Sequence, residues 1–141
     1  MPLKLTLPSD IEQRVERVGD VIAAASPLVT FAYVFGSVAL GRPNPRSDVD
    51  LAIHVSDGAD AHAVRLDVAL AAAKHLGTDA VDVVLLNSAP LALAGRILAS
   101  RRVVLDRLPF VRHRYESLTA RMFQDFRIRE HRLLTQRYAR G

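Results

Sequence analysis

The sequence predicts a small α+β (mixed α/β) domain, and three observations carry that prediction. Runs of β-branched and aromatic residues at 30–35, 80–86 and 103–105 alternate with segments of helical periodicity. Only about a dozen loop residues separate the first two strands, too few for a crossover helix, so that pair is expected to be antiparallel within a mixed sheet. The order helix, strand, strand, helix, strand, helix, strand, helix runs without a repeat or a low-complexity linker.

Ser9, Asp10, Ile11 and Glu12 form an S-x-x-E capping box ahead of Val15, Val18 and Ile22 at helical spacing. A first helix is expected from about Ser9 to Ala25, stopped near Pro27. Thr30 to Phe35 reads as a strand ended by Gly36, and a second strand begins near Asp48. Ala59 to about His75 is rich in Ala and Leu with Gly77 just beyond, the pattern of a helix with a glycine stop. Ala80 to Leu86 reads as a third strand. Asn87 or Ser88 is expected to cap a short helix that has Pro90 in its first turn and runs to about Ser100, before a short strand at Val103 to Leu105. From Pro109 onward the chain is helical. The expectation is one domain over 1–141, with its core at about 9–105, a small mixed sheet flanked by helices, and a C-terminal helical tail at about 109–138.

Composition narrows the function classes. Of 141 residues, 50% are hydrophobic, enough to fill one core. There is no cysteine, which excludes disulfides and thiolate metal sites and leaves oxygen or imidazole as the only metal ligands. No stretch approaches the roughly 20 apolar residues that span a bilayer, and Met1 to Lys4 do not open a signal peptide, so a cytoplasmic protein is expected. The net charge of +4 is unevenly placed. Residues 1–105 carry 10 Lys or Arg against 11 Asp or Glu, a net of −1, and residues 106–141 carry 9 against 4, a net of +5. A basic tail on a neutral body favours docking an acidic protein over a chain-wide nucleic-acid footprint, although direct nucleic-acid binding stays open.

The chemistry lies in the stretch from Phe35 to Ile53. Asp48 and Asp50 are two apart at the start of an apolar strand, so their side chains share a face with Cα atoms roughly 7 Å apart. An isolated D-x-D is commonly a solvated strand end. Here Leu51, Ala52 and Ile53 follow as a buried run, which puts the acids at the edge of a core strand, where uncompensated charge is costly and a bound cation relieves the cost. Mg²⁺ suits such a pair, because it combines one or two carboxylates with waters and substrate phosphates. Gly36 permits close backbone approach, and the Ser37 hydroxyl beside free N–H groups suits phosphate oxygens. Ten residues separate Ser37 from Asp48, enough for a helical turn and loop that return the chain so that both face one cleft. Arg42 and Arg46 either add positive charge against a triphosphate or are solvated loop arginines. His54 lies on the Asp48 and Asp50 face by strand parity, with packing or exposure its expected role. His62, His75, His113 and His131 show no metal-ligand spacing.

Gly36-Ser37, ten intervening residues and Asp48-x-Asp50 resemble the G-S-x10-D-x-D signature of the polymerase β-like nucleotidyltransferase superfamily. With Arg42, Ser47 and Asp48-Val49-Asp50-Leu51, the whole stretch looks like the minimal nucleotidyltransferases. The short length and the segment Val81 to Pro90 are most similar to the MNT antitoxins of HEPN/MNT toxin–antitoxin pairs, the resemblance covering about 30–105. It implies a polymerase β-like fold, ATP as donor, Mg²⁺ as cofactor, and nucleotide-binding roles for Gly36, Ser37, Arg42 and Ser47. It also implies a third carboxylate on a neighbouring strand, with Asp82 the candidate and Asp79 a weaker one. Asp48, Asp50 and Asp82 are then the catalytic and metal-binding set, with Asp82 either ligand or general base.

The acceptor is read from the tail. Val111, Tyr115, Leu118, Met122 and Phe126 recur at helical spacing, continued by Leu133 and Tyr138, and the first half of this helix is expected to pack on the body. The second half mixes Leu133, Leu134 and Tyr138 with Arg127, Arg129, Arg132, Arg137 and Arg140, the composition of a partner surface. Under the resemblance, the chain transfers AMP to a tyrosine of a cognate HEPN ribonuclease toxin and serves as its antitoxin. The alternatives are an antitoxin that neutralises by binding alone, and a nucleotidyltransferase acting on a small molecule or an RNA end.

Overall fold

The computed structural model describes residues 6–44 and 46–139, without the side chains of 138 and 139. Expectations placed on Met1 to Lys4, the Tyr138 side chain and Arg140 lie outside the described residues. The elements run α1 (Ile11–Glu16), α2 (Val18–Ala25), β1 (Val29–Phe35), α3 (Gly36–Ala39), β2 (Val49–Val55), α4 (Ala61–Leu76), β3 (Val81–Leu85), α5 (Leu91–Ser100), β4 (Arg102–Asp106) and α6 (Pro109–Ala139). The four strands form one sheet in the order β3-β2-β1-β4. β1 pairs antiparallel with β2 and β4, and β2 pairs parallel with β3, so the sheet is mixed as expected.

β1 lies inside the sheet, and both of its faces are covered. This is why its sequence is a nearly unbroken apolar run, buried from Val29 to Val34, and does not alternate. One face of the sheet packs on α2 and α4 through Val18, Ile22, Val34, Leu51, Ile53 and Val68. On the other, Phe31, Tyr33, Ala52 and Leu86 meet Ile97 of α5, with Val111 and Tyr115 of α6 against them. Strand parity therefore sends Asp50 and Ala52 to the α5 side, and Leu51 and Ile53 to the α4 side.

Three local expectations are corrected. The continuous helix from Ser9 to Ala25 is two helices that meet at Arg17, whose N–H bonds back to the Arg14 carbonyl at 3.2 Å. The S-x-x-E box does not form: Asp10 occupies the cap position without a side-chain cap bond, and its carboxylate takes the Arg14 Nε at 2.9 Å instead. Neither Asn87 nor Ser88 caps α5. The Asn87 amide accepts from Val55 N at 2.9 Å and donates to Val55 O at 2.8 Å, extending the end of β2 as a strand residue would, and α5 starts after Pro90.

The tail is helical as expected, but its apolar stripe divides. Val111 and Tyr115 pack on the body, whereas Leu118, Met122 and Phe126 are exposed. The packed arc runs through Tyr115, Thr119 and Phe123 instead, with Thr119 buried and the Phe123 ring lying on Gly95 of α5. The reason is a polar clamp. Glu116 accepts from the Tyr33 hydroxyl at 2.8 Å, Arg101 Nε at 2.6 Å and Arg112 Nη1 at 2.8 Å, while Arg112 also holds Asp106 at 2.9 Å, and this fixes which side of α6 faces the sheet. Replacing Glu116 by Ala strands the Tyr33 hydroxyl and leaves two arginines short of their shared partner. A loss of about 2–3 kcal/mol is expected in urea unfolding. A loss below about 0.5 kcal/mol would mean the cluster is as screened as a surface ion pair.

Candidate functional site

The site is assembled by the β2–β3 pairing. In that parallel ladder Asp50 is the register partner of Asp82, and Val49 of Val81. Asp50 and Asp82 have the parity of Ala52 and Val84, which pack on the α5 side, and Asp48 precedes Asp50 by one strand repeat. Three carboxylates thus gather at one end of the sheet. Asp48 and Asp82 are exposed and Asp50 is partly buried. The Asp50 carboxyl is pushed up to about 6, first by burial, then by the charge of Asp82 and then by that of Asp48. Among the described residues none of the three has a Lys, Arg or His in ion-pair contact.

Converging carboxylates without a cation are the arrangement a divalent ion relieves. Among the described residues no group of three carboxylate or imidazole side chains is gathered tightly enough to hold a metal ion by itself. An ion here would be completed by water and ligand oxygens, which is how Mg²⁺ is commonly bound, so the donor set fits that ion.

Gly36 closes the site from the β1 side. Its neighbour Phe35 is the register partner of Asp50, and Gly36 has φ of +77°; a Cβ there would stand 2.5 Å from Asp50 Oδ2. Only glycine serves both the backbone conformation and the close approach. α3 is the helical turn expected between the strands, closed by Leu40 N–H on Gly36 O at 3.1 Å and followed by Arg42 N–H on Ser37 O at 2.9 Å.

An open cleft of about 590 Å³ lies beside the acids, lined by Thr6, Arg46, Asp48, Asp79, Val81 and Asp82. Arg46, not Arg42, is the arginine on this wall. Asp79, the weaker acidic candidate, lines it too. Asp50, Gly36, Ser37, Arg42 and Ser47 are not part of its lining. The Ser47 hydroxyl accepts the Asn44 N–H at 3.0 Å and so helps shape the loop before Asp48. Ser100, expected only as the end of a helix and not as a site residue, accepts the Gly36 N–H on its hydroxyl at 3.0 Å, tying the end of α5 to the turn. No sequence signal links residues 64 apart. His54 is a packing residue: its ring stacks on Phe31 at 4.8 Å, its Nδ1 shares a 2.6 Å hydrogen bond with the Thr30 hydroxyl, and burial lowers its basicity.

Known proteins share this fold. The family described as polymerase beta, nucleotidyltransferase matches residues 16–109, well over half the chain. Among solved structures, a chain from a toxin–antitoxin complex with AMP-PNP aligns at TM-score 0.69 and 22% identity, over 89% of this chain and 96% of that one. A chain from the complex of tri-AMPylated Shewanella oneidensis HEPN toxin with MNT antitoxin aligns at TM-score 0.66 and 20% identity, over 89% and 97%. One from an MntA–HepT toxin–antitoxin structure aligns at 0.65 and 21%, over 89% and 97%. At these identities the likeness establishes the fold. No curated protein sequence matches the chain.

Proposed function

The chain belongs to the polymerase beta nucleotidyltransferase family, and on that premise we propose that it transfers AMP from ATP to a tyrosine hydroxyl of a cognate HEPN toxin and acts as that toxin's antitoxin. The observation that carries the reading is the meeting of Asp48, Asp50 and Asp82 beside a turn that only Gly36 can form. The solved complexes with AMP-PNP and with an AMPylated HEPN toxin support the donor and the acceptor class.

In this reading Asp48 and Asp50 would hold Mg²⁺. When bound, the ion neutralises charge developing on the α-phosphate and the leaving pyrophosphate. The turn that Gly36 allows would present Ser37, Arg42 and Ser47 to the outer phosphates, the Gly36 N–H itself being held by Ser100, and Arg46 adds a positive charge on the cleft wall. The acceptor oxygen forms its bond to the α-phosphorus as the bond from that phosphorus to the β-phosphate oxygen breaks in line, and pyrophosphate leaves. Asp82 is exposed at the sheet edge, where an incoming hydroxyl can reach it, and it receives the proton as general base. The chain's share of the rate comes from positioning and fixed charge, with no covalent intermediate. Among the described residues no helix is long and apolar enough to cross a membrane, and a donor drawn from the ATP pool supports a cytoplasmic site of action in this reading.

The test is transfer of α-labelled ATP with Mg²⁺ onto the HEPN partner, with protein and RNA resolved separately. Label on the toxin that disappears when its acceptor tyrosine is changed to Phe is the expected result. Label on RNA alone, or full neutralisation by an Asp48→Asn/Asp50→Asn variant, would overturn the proposed mode of action.

A further inference from the structure

α6 is 31 residues long, which at 1.5 Å per residue is about 46 Å. The contact of Phe123 with Gly95 is where the body ends. Every described residue from 124 to 137 is exposed. A free helix of that length is marginal in water, and its stability ordinarily comes from packing an apolar face.

This helix has such a face, and among the described residues nothing of its own chain covers it. Leu118, Met122, Phe126 and Leu133 fall on one stripe at spacings of 4, 4 and 7, with exposures of 51%, 49%, 42% and 67%. Arg114, Arg121 and Arg132, spaced by 7 and 11, run in a row along one edge of it. From residue 121 to 137 the helix carries five arginines against Asp125 and Glu130, a net of +3 (5 − 2). A second copy of this chain would bring the same sign of charge to the same stripe. RNA would satisfy the arginines but leave the four apolar side chains of the stripe in water. Only a protein surface that is apolar at its centre and acidic at its rim answers both features.

We propose that the free half of α6 is the docking face for the partner protein, seating the stripe from Leu118 to Leu133 in an apolar groove of the HEPN toxin whose rim carries carboxylates. The identity of the partner rests on the function proposed above; the choice of surface rests on α6 alone. The docking face is built on the same helix that Glu116 clamps to the sheet, so the partner is held at a fixed angle to the carboxylate site.

Titration calorimetry of the full chain with its HEPN toxin tests this, using a Met122→Asp/Leu133→Asp variant and a separate Arg121→Glu/Arg132→Glu variant. The first is expected to weaken toxin binding about 30-fold or more. The second is expected to weaken toxin binding at low salt and to lose the salt dependence of the wild type. All four side chains are exposed, so both variants should keep wild-type unfolding midpoints and wild-type affinity for AMP-PNP with Mg²⁺. Wild-type toxin binding by both variants would overturn the docking face and leave the proposed function standing. A wild-type chain that binds no HEPN toxin would overturn both. A concentration-dependent dimer abolished by the first variant, or an RNA oligonucleotide bound through the arginine row, would give the face to another occupant and overturn the assignment.

Discussion

Asp50→Asn is expected to reduce nucleotide transfer by at least about 10²–10³-fold and, in the same molecule, to stabilise the metal-free protein at neutral pH. The two effects share one cause. In the fold the Asp50 carboxyl is pushed up to about 6 from its ordinary 3.8, by burial and then by Asp82 and Asp48. Between those two values the folded chain binds more protons at this site than the unfolded chain does, so stability falls as pH rises through the window. Below about pH 4 the cost is absent, and above about pH 6 it is fully present. Asn has nearly the same shape and carries no charge, so it removes the cost. For a partly exposed group, screened by solvent, the gain is on the order of 1 kcal/mol. Urea unfolding of both proteins with a chelator at pH 4 and pH 7.5 measures it. The curves should coincide at the lower pH and separate at the higher, with the variant more stable. Equal stability at pH 7.5 would mean that Asp50 carries no electrostatic cost, and retained transfer would remove it from the catalytic set.

Gly19→Ala is expected to be the most destabilising single-methyl change in the chain, at about 3 kcal/mol or more. A Cβ on Gly19 would overlap the Val104 carbonyl oxygen. Val104 lies within β4, so its carbonyl belongs to the backbone and cannot swing aside as a side chain can. α2 would have to lift off the sheet, disturbing Val18 and Ile22, both fully buried in the same core. Against a total of about 5–15 kcal/mol for a domain, that loss removes a large fraction of the folded margin. Urea unfolding checks it, and a loss below about 1 kcal/mol would show that α2 rides more loosely on β4 than the packing requires. The contrast with Asp50→Asn is useful, because one change should disable the site in a firmer fold and the other should loosen the fold far from the site.

The bend at Arg17 was not legible in the sequence for the same reason that Gly19 matters. The capping box and the spacing of Val15, Val18 and Ile22 describe one continuous helix, and nothing local says that α2 must approach a strand more than 80 residues away closely enough to exclude a Cβ. Asn87 failed as a cap for a related reason: its amide has two possible backbone partners, and the end of β2 outcompeted the start of α5. In the cleft, Arg42 and Arg46 are equivalent loop arginines until the chain is folded, when Arg46 stands on the wall with Asp48 and Asp82.

The sequence by itself determined what depends on near neighbours. The dozen-residue link made β1 and β2 antiparallel, strand parity put Asp48 and Asp50 on one face, and the glycine at the strand end marked the tight turn beside them. Tertiary structure alone decided what depends on the meeting of distant segments: the register that sets Asp82 opposite Asp50, the Ser100 hydroxyl on the Gly36 N–H, and the side of α6 that is covered. Periodicity says which residues share a helix face, but not where the body beneath that helix ends. Leu118, Met122 and Phe126 therefore read as core in the sequence and stand in solvent in the fold, because the clamp on Glu116 turned the neighbouring arc toward the sheet.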